Sequence, residues 1–255
     1  MEAASPRPKV EAPGDGTVRR LTGPWTPTIH SLLKHLEEVG FDGAPRVLGL
    51  DDQGREILTW IEGEIASGAW PDYLRETESV ASIGALVRRF HDAVRGFRPP
   101  PDAVWRSGAN RWKIGYVVRH ADIGPGNVVW RHQQAAGLID WDLAEPGEAI
   151  ADLALAAWTF LPMAPDAAFR RLGFSQQPDL RGRLESLCAG YRGVEPAALV
   201  RTSYLLMQSE KKRLIELGNA RVEPWVSFRA AGQMQLIEAA LAWMERDGMD
   251  LLLKA

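Results

Sequence analysis

Asp122, Asn127 and Asp140 are the residues whose types and spacing could do chemistry. They lie in His120-Ala-Asp-Ile-Gly-Pro-Gly-Asn-Val-Val-Trp130 and, past Arg131 to Ala136, in Gly137-Leu-Ile-Asp-Trp-Asp142. Val128–Trp130 and Gly137–Ile139 are short apolar runs separated by polar residues. This pattern predicts an antiparallel hairpin turning about Gln133 and Gln134, or through a four-residue loop from His132 to Ala135. In that register Trp130 opposes Gly137, Val128 opposes Ile139 and Asn127 opposes Asp140. Directly opposed residues share a face, with Cβ atoms roughly 4.5–5.5 Å apart. Asp122 precedes Asn127 by five residues, across a loop that Pro125 stiffens and Gly124 and Gly126 free. Two carboxylates and an amide oxygen make a hard oxygen set, which suits magnesium carrying phosphate groups.

The order Asp, Asn five residues on, and Asp thirteen further is close to that of a protein-kinase catalytic loop and its metal-binding Asp. His120-Ala-Asp122-Ile-Gly-Pro125-Gly-Asn127 followed by Leu138-Ile-Asp140-Trp141-Asp142 resembles the aminoglycoside phosphotransferase family of kinase-like enzymes. Pro146-Gly147, Ala151-Asp152-Leu153-Ala154 and Trp158 resemble it too. The likeness is densest from about Phe90 to Trp158, thinner over Thr17 to Gly63 and slight beyond Leu161.

The resemblance implies an α+β, bilobal protein-kinase-like fold. Its N-terminal strand-and-helix lobe would be reduced and its C-terminal lobe mostly helical. It also implies ATP- and Mg2+-dependent transfer of the γ-phosphoryl group to a hydroxyl of a small molecule, an aminoglycoside-like antibiotic or a polar metabolite. Asp122 would orient and deprotonate that hydroxyl, and Asn127 and Asp140 would hold one or two magnesium ions. His120 and Asp152 would support the catalytic loop. Ala121 stands where regulated protein kinases carry Arg, so activation by loop phosphorylation is not implied. Trp141 stands at the Phe position of Asp-Phe-Gly and should pack against the loop. Asp142 is either a water-mediated neighbour of the metal or a solvated turn acid. The alternative is a catalytically inactive nucleotide- or ligand-binding protein of the same fold.

Around these residues the chain must build two lobes. Residues 1–16 read as a flexible tail, 17–63 as a small nucleotide-binding lobe and 64–255 as the helical catalytic and acceptor-binding lobe. Strands are predicted over Thr17–Arg20, Arg46–Leu50 and Glu56–Ile61, the last two around Asp52-Gln53-Gly54. Ile29, Leu32, Leu33 and Leu36 at helical spacing predict a helix from Thr28 to Val39. A long helix from Leu74 to Val94 and a strand from Val117 to His120 lead into the loop. A buried helix from Pro146 to Phe160 carries Asp152. Further helices are predicted at about Asp166–Leu172, Asp179–Tyr191, Pro196–Leu217 and Pro224–Glu245.

The small lobe departs from the family pattern. Gly14 and Gly16 are the only glycines ahead of the strand, and a lone Gly-Asp-Gly is more often a plain turn. The position of the phosphate-facing Lys falls on Arg19, with Arg20 the alternative, and Arg is no neutral replacement. The helix Glu position falls near Ile29, where no acid stands. Trp60 and Ile61, ahead of the Glu62-Gly63-Glu64 connection, are implied adenine neighbours or else core strand residues. His91 and His132 read as packing and tip residues. Glu210, Lys211, Lys212 and Arg213 read as a solvated helix face.

Composition narrows the function classes. A net charge of −3 gives no overall basic field for nucleic acid. Cys188 is the only cysteine, which excludes an intrachain disulfide and a multi-thiolate metal site. No apolar run reaches membrane-spanning length and no secretory signal opens the chain, so a cytoplasmic protein is expected. Acceptor identity and oligomeric state are not legible.

Overall fold

The computed structural model describes residues 10–11, 14–108 and 112–253. Residues 1–9, 12 and 13 of the expected tail lie outside the described residues. The first elements are β1 (Val10–Glu11), β2 (Thr17–Arg20), α1 (Thr26–Glu38), β3 (Val47–Leu50) and β4 (Glu56–Thr59). The strands form one antiparallel sheet in the order β1-β2-β4-β3. Helix α1 buries Ile29, Leu32, Leu33 and Leu36, the face that the apolar spacing predicts. It starts two residues earlier than expected. Gly23 N donates to Thr26 Oγ1 at 2.9 Å, and Pro27 costs no hydrogen bond in the first turn.

The connection after β4 rests on the hairpin that carries the motif. Glu64 N donates to Trp130 O at 2.9 Å, and Trp130 N donates to Glu64 O at 2.7 Å. Gly63 takes φ +141 there, and a Cβ on it would fall 2.4 Å from Trp130 O. Only glycine permits that approach.

The predicted helix from Leu74 to Val94 is two helices, α2 (Asp72–Arg75) and α3 (Thr77–Val94), broken at Glu76. The carbonyls of Leu74, Arg75 and Glu76 are taken by the guanidinium of Arg183. That side chain rises from a later helix, so local sequence carries no sign of the break.

Strand β5 (Val117–Arg119) leads to the loop, and β6 (Val128–Arg131) and β7 (Gln134–Leu138) form the hairpin. Its turn falls one residue earlier than the expected Gln133-Gln134 turn. His132 and Gln133, at φ +49 and +62, make a two-residue turn, and Gln134 pairs with Arg131. Val128 pairs with Leu138, Val129 with Gly137 and Trp130 with Ala135, which leaves Ala136 as a bulge. Asn127 therefore faces Ile139, whose N–H it accepts at 3.0 Å, and not Asp140. Asp140 lies two residues beyond the last paired residue, Leu138, in a left-handed conformation at φ +62.

Pro146 and Gly147, expected to open a helix, belong to β8 (Glu145–Gly147), which pairs antiparallel with β5. A two-stranded ribbon leaves one edge where proline's missing N–H costs nothing. Helix α4 (Ala149–Phe160) follows, then α5 (Asp166–Arg171), α6 (Leu180–Tyr191) and α7 (Pro196–Asn219). The last predicted helix is divided at Gly232, φ +86, into α8 (Trp225–Ala230) and α9 (Gln233–Trp243). A π-turn over Met244–Gly248 then leads to α10 (Met249–Leu253). Phe90, Trp130, Trp141 and Phe160 are buried where α3, the hairpin and α4 meet. Among the described residues no helix is long and apolar enough to cross a membrane.

Candidate active site

The loop between β5 and β6 is held from below by Asp152 of α4, a fully buried acid. It accepts the main-chain N–H of His120 at 2.7 Å and of Ala121 at 2.9 Å. His91 Nε2 lies 3.3 Å away, and Tyr191 bonds the other nitrogen of that ring at 2.9 Å. Burial alone would raise the Asp152 carboxyl. The hydrogen bond with His91 and the charge of Arg119 outweigh it and hold the group below the ordinary carboxylate range.

His120 is buried and joins the loop to the second acid. Its Nδ1 accepts from Asp122 N at 3.3 Å, so the proton sits on Nε2, which donates to Ile139 O at 2.9 Å. Burial pushes the pKa of this ring down, which favours that neutral form. The edge of the ring meets Trp141 with centroids 4.6 Å apart, and Trp141 Nε1 donates to Leu138 O at 2.9 Å. The residue before Asp140 is thereby pinned to the residue two before Asp122.

Asn127 Nδ2 donates to both the carbonyl and Oδ2 of Asp122 at 2.9 Å. Burial pushes Asp122 up to about 6, the charge of Asp140 adds to the rise, and the Asn127 hydrogen bond opposes it. Asp140 is exposed, with Oδ1 2.7 Å from Arg20 Nη2. The same nitrogen lies 3.0 Å from Asp142 Oδ1, and Arg106 Nη1 lies 2.9 Å from Asp142 Oδ2. Asp142 is therefore a paired, largely enclosed acid and not a solvated turn residue; burial raises its pKa and the two arginines oppose that. Arg20, Arg106, Asp122, Asn127, Asp140 and Asp142 line one pocket of about 440 Å³.

The donors fit magnesium. No three His, Cys, Asp or Glu among the described residues stand as a metal cluster. Mg2+, however, needs only one or two protein carboxylates when phosphates and water complete its shell. Asn127 turns its nitrogen to Asp122, so its amide oxygen is the atom that would be offered to a metal, and Asp140 would offer the carboxylate.

A second pocket, of about 250 Å³, opens on the other side of Asp122. Asp122, Leu143 and Phe228 line both. Its walls include Trp158, Leu206, Trp225 and Ile237, with Glu210 and Arg213 among them. Fully buried Glu145 accepts from Arg119 at 2.7 Å, from both terminal nitrogens of Arg213 at 2.8 and 2.7 Å, and from Ser107 at 2.6 Å. The Glu210–Arg213 stretch is thus not one solvated face. Lys211 and Lys212 pair with Glu238 and Glu216, whereas Glu210 and Arg213, one turn apart, face inward.

The remaining expected nucleotide residues lie differently. Arg19 reaches Thr17 Oγ1 at 2.8 Å and Asp15 at 3.2 Å, away from the acids. Neighbouring strand residues point to opposite faces, so it is the alternative, Arg20, that enters the pocket. Gly14 and Gly16 flank Asp15, whose carboxylate caps Thr17 N at 3.0 Å in a local turn. Trp60 is half-exposed and Ile61 packs over Gly137; neither lines the two pockets that meet at Asp122. Arg106, Glu56 and His30 were not anticipated. Glu56 is buried, 2.8 Å from His30 Nε2 and 3.7 Å from Arg20 Nε. Its inward-facing place on β4 was the one local signal.

Comparison with known proteins follows the same lines. The sequence profile of the phosphotransferase enzyme family matches residues 101–185, the span of the loop, the hairpin and α4. The trifolitoxin immunity protein of Rhizobium leguminosarum bv. trifolii is 39% identical over 181 residues, which are 69% of this chain and 67% of that protein. An amicoumacin kinase in complex with AMP-PNP, Ca2+ and Ami has a similar fold, with a TM-score of 0.58 at 11% identity over 87% of this chain and 81% of that one. A choline/ethanolamine kinase family protein from Mesorhizobium loti gives a TM-score of 0.56 at 15% identity, over 97% and 91%. The likeness to these two is one of fold, and that fold is the bilobal kinase-like α+β arrangement.

Proposed function

This chain belongs to the phosphotransferase enzyme family, and from that premise we propose that it moves the γ-phosphoryl group of ATP, bound with Mg2+, onto a hydroxyl of a small molecule. The observation that carries this reading is the position of Asp122 in the wall between two pockets. On one side are Asn127 and Asp140, which would hold the metal; on the other is a recess with room for an acceptor. A pKa near 6 leaves Asp122 largely ionised at neutral pH, yet basic enough to take a hydroxyl proton as the bond to phosphorus forms. Held by Asn127 and Asp140, magnesium would supply positive charge that offsets that of the phosphate oxygens. Asp152 and His120 keep the base at its station by fixing the loop backbone. Trp60, half-exposed beside the connection, is the better of the two suggested neighbours for adenine.

The acceptor side favours a compact molecule with apolar surface. Glu145 is already neutralised by Arg119 and Arg213, and the walls are aromatic and aliphatic. A polycation would call for an acid-rich cleft. The name of the 39% identical relative, an immunity protein, supports a toxin or antibiotic as the molecule that receives the phosphate.

The test is incubation with ATP and Mg2+ and a panel of hydroxylated antibiotics and metabolites, read by mass spectrometry for the gain of one phosphoryl group. Asp122→Ala should lose transfer and keep nucleotide binding. Unchanged transfer by that variant would overturn the assignment of the base. Nucleotide binding with no transfer to any acceptor would favour a binding protein.

A further inference from the structure

We propose that Arg20 and Arg106 form a two-armed clamp for the nucleotide phosphates, replacing the strand Lys and glycine-rich loop that kinase-type enzymes use. The inference rests on the phosphotransfer reading and names how that site grips its anionic ligand. The two side chains come from separate parts of the chain, the end of β2 and the connection ahead of β5. They meet on opposite oxygens of one carboxylate: Arg20 Nη2 lies 3.0 Å from Asp142 Oδ1, and Arg106 Nη1 lies 2.9 Å from Asp142 Oδ2. Both line the pocket that also holds Asn127 and Asp140.

Each guanidinium is supported from behind and has donors to spare. The Trp25 ring lies 4.4 Å from the Arg106 guanidinium carbon, a stacking contact that fixes the plane of the fork. Arg106 Nε is buried and has no hydrogen-bond acceptor among the described residues. Glu56 stands beside Arg20 Nε and is itself held by His30 of α1. This strand acid and helix histidine do from β4 and α1 what a helix Glu does for a strand Lys. The Gly14-Asp15-Gly16 turn has its acid tied to Thr17 and Arg19, and so offers no competing cradle.

The planar fork of Arg matches phosphate oxygens in pairs, and such charge-assisted bonds are roughly twice as strong as neutral ones. Entering phosphates would exchange with the carboxylate oxygens on the two forks. Arg20 would then release Asp140 Oδ1, now 2.7 Å away, to a metal ion. Phosphate and metal binding are therefore coupled through Arg20, whereas Arg106 reads phosphate alone.

The test is calorimetric binding of adenosine, ADP and ATP to the full chain, each with and without Mg2+. Arg20→Gln, Arg106→Gln and Arg106→Lys are compared with the unaltered protein. Each Gln variant should lose at least tenfold of the ATP-to-adenosine affinity ratio while adenosine binding is unchanged. Arg20→Gln should also weaken the benefit of Mg2+. Arg106→Lys keeps the charge on Asp142 and guards against a variant that fails to fold; it should lose part of the ratio. Ratios equal to those of the unaltered protein would overturn the clamp and leave the phosphotransfer reading standing. Failure of the unaltered protein to bind any of the three ligands would overturn both.

Discussion

Asp152 holds Ala121 in a left-handed turn: its Oδ1 accepts the Ala121 N–H at 2.9 Å, and Ala121 takes φ +61. Its other oxygen accepts from His120 N at 2.7 Å. Asp152→Ala would leave two amides and His91 in the interior without this acceptor. Loss of one partner of a buried charged network costs roughly 3–5 kcal/mol. Asp152→Asn keeps one acceptor oxygen and should cost less. Urea unfolding checks the order, which a purely peripheral role for Asp152 would reverse or erase.

Asp122 gives a pH-dependent prediction of opposite sign. Burial and Asp140 push its pKa up to about 6 in the fold, against roughly 3.9 for an ordinary aspartate in the unfolded chain. The folded protein therefore holds this proton more tightly. Stability is lost as pH rises past the unfolded value, and the loss is complete above the folded one. Asp122→Asn should then stabilise the nucleotide-free protein at pH 7–8 by roughly 2–3 kcal/mol at most. The gain should vanish below about pH 4, while phosphoryl transfer is lost at every pH. Thermal melts across pH check it, and a pH-independent difference would sink it.

That Asp122, Asn127 and Asp140 line one pocket was legible because their relation is local: residue type and spacing within some twenty positions carry the information. The hairpin register was not. The polar run between the two apolar segments does not say which pair turns, and a bulge at Ala136 adds a residue that alternation cannot reveal. Arg19 and Arg20 are adjacent on a four-residue strand, all of it half-buried, so no face is marked in advance. Glu56 and His30 lie 26 residues apart and Arg213 and Glu145 lie 68 apart, beyond any periodicity argument. Pro146-Gly147 carries a helix-start signature that tertiary pairing with β5 overrides. The amphipathic helices α1 and α3 were readable because their burial follows one face.

Glu145 ties together two walls of the second pocket. It joins Arg119 of β5 to Arg213 of α7, and both arginines line the pocket beside Asp122. Glu145→Gln would strip Arg119 of its paired carboxylate and leave Arg213 only Glu210, 3.4 Å away. The expected cost is about 3–5 kcal/mol, because charges that have lost a partner stay in the interior. Adding Arg213→Met should recover part of that loss, since one of those charges is then gone. Denaturant midpoints of the two single variants and the double variant measure the coupling. Additive effects would mean that the pair does not act as a unit.

Arg183 makes five hydrogen bonds to the carbonyls of Phe160, Leu74, Arg75 and Glu76. Those carbonyls are the end of α4 and the break between α2 and α3, so one side chain satisfies backbone oxygens that neither helix can use. Burial pulls its pKa down to about 10, which leaves it charged at neutral pH. Lysine has three donors on a single nitrogen and cannot reach carbonyls spread around a planar fork. Arg183→Lys should therefore cost roughly 2–4 kcal/mol, and Arg183→Leu more, since unsatisfied buried carbonyls each carry a desolvation penalty. Amide exchange should rise first at residues 74–80, ahead of global unfolding. Protection there equal to that of the unaltered protein would mean that the helix break is set by its own backbone and not by Arg183.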